Sequence, residues 1–226
     1  MSIAKNVADV RARLERAAPG RGVLLVAATK MNDTARVREA IAAGVDACGE
    51  NRVQEMTAKA AEGAYSGAPL HFIGHLQKNK VKQVVGLADL IESVDSRELL
   101  ALIDARAAAL GLVQDVLLEV NIAGEAAKSG AEPGALPELL EFAASLSAVR
   151  VRGLMAIPPI CLKSGQNKPY FARMQELFVD IGEKKYDNVT MDFLSMGMSG
   201  DFEDAAAMGA NVVRVGTAIF GARSYL

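Results

Sequence analysis

The stretch VLLVAATKMND, residues 23–33, sets Lys30 directly after seven uncharged, mostly apolar residues, with no acidic residue before Asp33. A lysine at a strand end is ordinarily solvated. The sharper alternative is an amine kept inside a cavity. There, desolvation and a nearby cation such as Arg214 would lower its pKa and leave a neutral nucleophile able to form a Schiff base. Two later stretches carry complementary chemistry. SMGMSGD (195–201) offers Gly197, Ser199 and Gly200 ahead of a helix beginning near Asp201, and RVGTA (214–218) offers Gly216 and Thr217. Glycines admit backbone N–H groups close to an anion, hydroxyls add donors, and a helix N-terminus adds the positive end of a dipole. Together they read as a phosphate site; the plainer reading of the same glycines is a pair of tight turns.

Other reactive residue types are less suggestive. His71 and His75, if both lie on one extended strand, share a face but stand about 13 Å apart at roughly 3.3 Å per residue, too far to hold one metal ion. No metal site is expected, and His75 reads as structural. Cys48 and Cys161 lack metal-ligand spacing, and Cys48 reads as a small buried residue. Met191, Met196 and Met198 read as core packing. QKNKVK (77–82) reads as a solvated helix start whose lysines could meet an anion or a partner.

These residues need elements to bring them together. Ile3, Val7, Val10 and Leu14 recur at helical spacing, so residues 2–18 predict an amphipathic helix closed by Pro19-Gly20. After it, eight short apolar runs (22–30, 45–51, 70–77, 90–96, 115–122, 149–157, 191–199 and 211–221) alternate with helical patterns. Those patterns lie near 34–43, 52–62, 78–86, 96–110, 135–147, 168–185 and 201–208, several of them opening on cap-like residues such as Asp33, Asp95 or Ser96, and Asp201. Strands this apolar, alternating with helices, predict a parallel sheet buried on both faces. Eight of them predict an α/β fold, a (β/α)8 TIM barrel forming one domain over residues 1–226. No helical pattern follows the eighth run, so the N-terminal helix is expected to take that place. An open doubly wound sheet is the weaker alternative, for no dinucleotide fingerprint is present.

In a barrel, function gathers at the carboxyl ends of the strands. Lys30, GEN (49–51), GHLQKNK (74–80), SMGMSGD and RVGTA all fall there, whereas the strand starts look plain. Alternation sets Lys30 on the same face as Leu24, Val26 and Ala28, and the small Ala28 leaves room for a flat ligand.

Composition narrows the function classes. The 226 residues are 51% hydrophobic and 23% charged, as in a globular chain with a substantial core. A formal net charge of −2 gives no basic footprint for nucleic acid or an anionic membrane. The N-terminal MSIAKNVADVRARLERAA is too charged for a signal peptide, and no apolar run approaches the roughly 18 residues of a membrane span. With only two cysteines, a reducing, cytoplasmic location is expected.

The motifs VAATK, GENRVQE, HFIGHLQKNK, VNIAGEAAKSG, GLMAIPP, SMGMSGD and VRVGTAIFGAR run in that order across residues 23–223. They resemble those of the pyridoxal phosphate homeostasis proteins, a family related to the N-terminal barrel of alanine racemase. The resemblance implies a modified TIM barrel that holds pyridoxal 5′-phosphate as a Schiff base on a lysine, here Lys30. It implies phosphate contacts at Ser199, Gly216 and Thr217, a ring-nitrogen contact from Arg214, and a pocket position for Asn51. The stretch CLKSGQNKPYF (161–171) carries nothing over. The implied role lies in intracellular vitamin B6 and amino-acid homeostasis, with pyridoxal-phosphate-dependent apo-enzymes as prospective recipients.

A guanidinium has only donors, so Arg214 would hydrogen-bond an unprotonated pyridine nitrogen, and such a ring is a poor electron sink. Racemization also needs a second base, in alanine racemase a tyrosine from a second domain. Tyr65, Tyr170, Tyr186 and Tyr225 do not fall at a strand end facing the site. No robust catalysis is expected, and no catalytic residue is assigned. Two rivals stay open: a weak pyridoxal-phosphate-dependent amino-acid racemase, and a phosphosugar aldolase whose substrate condenses with Lys30.

Overall fold

The apolar runs become eight parallel strands in the computed structural model, which describes residues 2–125 and 128–221. They are β1 (Leu24–Ala28), β2 (Ala47–Glu50), β3 (Leu70–Phe72), β4 (Leu90–Val94), β5 (Gln114–Glu119), β6 (Val149–Met155), β7 (Val189–Ser195) and β8 (Val212–Val215). Each pairs with the next, and β8 pairs with β1 to close the barrel. The expected barrel is therefore the observed one, and the open sheet is not. Helix α1 (Ile3–Ala17) precedes β1. The crossovers hold α2 (Thr34–Ala42), α3 (Val53–Ala61), α4 (Val81–Val84), α5 (Arg97–Ala109), α6 (Leu136–Ala144), α7 (Lys168–Gly182) and α8 (Phe202–Ala207). A short α9 (Thr217–Phe220) follows β8.

Helix α1 buries Ile3, Val7, Val10 and Leu14 and packs against α2, α8 and α9, which closes the outer layer as expected. Strand alternation divides the core in two. Leu25 and Ala27 join the large apolar layer between strands and helices, whereas Leu24 and Val26 point inward among Ala47, Val212 and Phe193. Leu90, Leu117 and Met155 form a second inner cluster. The interior is thus packed by side chains rather than open.

Several details depart from the sequence reading. β3 stops at Phe72, the partner of Glu50 at the end of β2, and beyond it Gly74 packs so close to Asn51 that an added Cβ would stand 2.2 Å from the Asn51 carbonyl oxygen. His75 is therefore off the strand and does not share its face with His71. The expected helix at 78–86 is a 3₁₀ turn, Lys78–Lys80, followed by the single turn α4. Asp33 and Ser96 cap α2 and α5, but Asp201 does not cap α8; its carboxylate turns back to Met198 N. Nor are the strand starts plain. Asp115 of β5 pairs with Arg150 and Arg152 of β6, and Arg152 also pairs with Asp192 of β7.

Candidate functional site

Lys30 lies two residues beyond β1, on the inward parity of Ala28 and Val26, and lines a cavity of about 240 Å³ at the barrel mouth. Ser199, Arg214, Gly216 and Thr217 line the same cavity. Five of the six expected residues therefore converge. Asn51 instead lines a separate hollow at the ends of β2 and β3 with Phe72, His75 and Gln77, and its buried Oδ1 has no hydrogen-bond partner among the described residues.

The side of the cavity with Ser199, Gly216 and Thr217 is built from two loops. Ser199 Oγ accepts from the backbone N–H groups of Gly216 (3.2 Å) and Ala218 (3.3 Å), so the loop after β7 is laced to the start of α9. Gly216 runs beside β1: a Cβ there would stand 3.4 Å from the Ala28 side chain and carbonyl, at the edge of ordinary contact. Gly197 adopts φ +92°, and an added Cβ would reach 2.5 Å from Ala205 Cβ. Both glycines shape the cradle, one by close approach and one by a left-handed backbone.

Arg214 closes the floor. It is 4% exposed, donates from Nη1 to Ser195 Oγ (2.5 Å) and from Nη2 to the Ala156 carbonyl (2.9 Å), and so keeps further N–H donors for the cavity it lines. Ser195 Oγ in turn donates to Glu92 Oε2 (2.6 Å), and His71 Nδ1 donates to Glu92 Oε1 (2.7 Å). Burial alone would push the Glu92 carboxyl up, but the His71 hydrogen bond, the charges of His71 and Arg214, and the Ser195 hydroxyl hold it below its ordinary value. Burial also pushes the Arg214 guanidinium below its ordinary value, against the pull of Glu92, Glu119 and Asp201. A guanidinium still carries its charge under any physiological condition.

This inner chain was missed from sequence, although an acid in the middle of LIESV and a histidine in LHF are visible signals of polar groups on an inward face. Ile160, Cys161, Met198 and Asp201 also line the cavity. Met198 is thus a wall residue, while Met196 is buried core and Met191 packs against it. Residues 161–171, assigned no role in the site, contribute more than expected. Asn167, fully buried, donates to the Pro159 carbonyl (2.9 Å) and to Asp201 Oδ2 (2.7 Å), while Asp201 Oδ1 accepts from Met198 N (2.7 Å). Asn167 therefore braces the loop after β7. Cys48 is buried, and burial pushes its thiol up to about 12, which makes it inert. Tyr65 bonds Glu50 behind the barrel wall, Tyr170 lies in α7 and Tyr186 precedes β7; Tyr225 lies outside the described residues. Among the described residues, no helix is long and apolar enough to cross a membrane.

Comparison with known proteins agrees with this architecture. A family model described as the alanine racemase N-terminal domain matches residues 1–224. A pyridoxal phosphate homeostasis protein of Aquifex aeolicus is 41% identical over 230 residues, covering 100% of both chains. That of Escherichia coli K12 is 38% identical over 232 residues, covering 99% of this chain and 97% of the relative. Among solved structures, PipY of Synechococcus elongatus with PLP bound is 36% identical with a TM-score of 0.83, covering 97% of this chain and 100% of that one. Alanine racemase of Clostridium difficile 630 is 14% identical with a TM-score of 0.76, and 57% of its chain is covered, a likeness of fold alone.

Proposed function

The chain belongs to the family of pyridoxal phosphate homeostasis proteins, and we propose that it binds pyridoxal 5′-phosphate in the barrel-mouth cavity as a Schiff base on Lys30. It holds, buffers or delivers the cofactor in vitamin B6 and amino-acid homeostasis without robust catalysis of its own. Pyridoxal-phosphate-dependent apo-enzymes are the recipients we propose.

One observation carries this reading: a primary amine, a donor-rich loop pair and a buried guanidinium all line one cavity of about 240 Å³. The residues fit the group. Gly216 leaves the wall beside Ala28 without a side chain, and Ser199, Gly200 and Thr217 supply small or hydroxylic surface for a phosphate. When bound, pyridoxal phosphate supplies an aldehyde that condenses with a primary amine, and a conjugated ring that accepts electrons only as well as its nitrogen is protonated.

The chain's own residues decide how far that chemistry can run. Lys30 offers the amine. Arg214, fastened by Ser195 and Ala156, offers only donors, so it favours an unprotonated ring nitrogen and disfavours electron withdrawal. Asp201, whose two oxygens accept from Met198 N and Asn167, holds the loop rather than a substrate proton. Carriage rather than turnover is the consequence.

Borohydride reduction of the holo-protein followed by peptide mapping tests the assignment. The adduct is expected on Lys30, and Lys30→Ala should lose the near-visible absorbance while keeping the fold. An adduct on Lys78, Lys80 or Lys128 would overturn it. Mixing the holo-protein with an apo-aminotransferase and following the return of activity tests delivery.

A further inference from the structure

In sequence the nearest acid to Lys30 is Asp33, yet two other carboxylates approach its neighbours in space. Thr29, on the outward parity, is fully buried and donates from Oγ1 to Glu50 Oε1 (2.6 Å). The same carboxylate oxygen accepts from Lys59 Nζ (2.7 Å) and Tyr65 OH (3.0 Å). Lys59, from α3, also donates to the Thr29 carbonyl (2.9 Å) and to Glu55 Oε1 (3.2 Å). Glu55 Oε1 then accepts the backbone N–H of Met31, which sits at φ +62° in the left-handed region a non-glycine residue seldom adopts. Both neighbours of Lys30 are thus tied to one ammonium on α3, directly at Thr29 and through Glu55 at Met31.

A buried ion pair made only for stability would have no reason to reach two backbone atoms flanking one residue, because apolar packing serves stability as well or better. We infer that Lys59, Glu55 and Glu50 are positioning residues for Lys30: from behind the barrel wall they fix the backbone on either side of it and so aim its amine into the cavity. The inference rests on Lys30 being the cofactor lysine. None of the three lines the cavity, so none is a catalytic residue.

The test compares wild type with Glu55→Gln, Lys59→Met and Lys59→Arg. Competitive labelling of the apo-protein with trace acetic anhydride across neutral to alkaline pH reports the Lys30 amine without any cofactor, with Lys5 and Lys82 as internal references. Stopped-flow absorbance reports condensation with added pyridoxal phosphate. Misaiming the amine should slow condensation roughly tenfold in Glu55→Gln and Lys59→Met. It should also shift the Lys30 labelling profile alone, with Lys59→Arg retaining most of the wild-type behaviour. If the variants fold and both Lys30 readouts match wild type, the positioning role is wrong. Should Lys59→Met fail to fold, Glu55→Gln, altered at a partly exposed group, decides by itself. A wild-type protein that gives no adduct on Lys30 would overturn the proposed function and this inference together, a result distinguishable from normal adduct formation with indifferent variants.

Discussion

Thr217 offers the least disruptive way to test the anion site, because Thr217→Val conserves shape and removes only a hydroxyl. A lost hydrogen bond to a charged group costs about 1.5–3 kcal/mol. Binding of pyridoxal phosphate should therefore weaken about tenfold or more, with little change for unphosphorylated pyridoxal, as read by titration of absorbance. Equal weakening of both would place the phosphate elsewhere. Two buried carboxyls test the interior with opposite signs. Glu92 is held below its ordinary value near 4.5, so its contribution is present above that value and is lost as pH falls through the lowered one. Burial pushes Glu119 up, aided by Asp95 and opposed by its Ser129 hydrogen bond; its contribution is present below about 4.5 and is lost as pH rises through the raised value. Urea unfolding at a series of pH values should show Glu92→Gln destabilised at neutral pH by on the order of 3 kcal/mol, the gap closing in acid. Glu119→Gln should instead gain on wild type as pH rises from about 4.5 toward neutral.

The loop between β7 and α8 is where element-scale packing decides binding. Gly197→Ala adds a methyl 2.5 Å from Ala205 Cβ at φ +92°, combining overpacking with backbone strain. It should cost about 2–4 kcal/mol by chemical denaturation. Gly200→Ala is the matched control: its Cβ would meet Cys161 at an ordinary 3.8 Å, and its stability should stay within about 0.5 kcal/mol of wild type. A similar loss in both would show that the loop, not the contact, is fragile. The same loop marks where sequence reading succeeds and where it stops. Strand order, the α1 plug and the convergence of Lys30 with Ser199, Arg214, Gly216 and Thr217 were legible, because burial on both faces and strand parity are periodic signals. Asn167 was not, since its tie to Asp201 spans 34 positions and leaves no local pattern. The early end of β3 escaped for a similar reason: Phe72 is paired with Glu50, where β2 ends, a neighbour only in the closed barrel. Glu50 and Glu55 escaped notice because their target, the Lys30 turn, lies across a crossover.

At the scale of the whole molecule, the question is what one barrel can do with a cofactor that needs a second base on its other face for racemization. Among the described residues, Lys30, Cys161 and Asp201 are the ionisable groups beside Arg214 that line the cavity. Asp201 is committed to Met198 N and Asn167, and the Cys161 thiol donates to the Lys163 carbonyl (3.2 Å). No described tyrosine lines it, and the fold shared with alanine racemase covers 57% of that enzyme's chain. On the proposed function, Lys30 is the lysine among the described lining residues that could move an α-proton, and it would serve one face. In the proposed function, Arg214 has only donors to offer a ring nitrogen, so it would give an α-carbanion little stabilisation. A missing general acid or base costs typically 10²–10⁴-fold, so inversion should lag exchange by about that factor. Incubating the holo-protein with L-alanine in D2O and following the α-proton by NMR measures both. Slow exchange with retained configuration is the expected result. Rapid exchange with accumulation of the D-isomer, absent from the Lys30→Ala control, would make the protein a racemase and reassign Lys30 from anchor to acid–base catalyst.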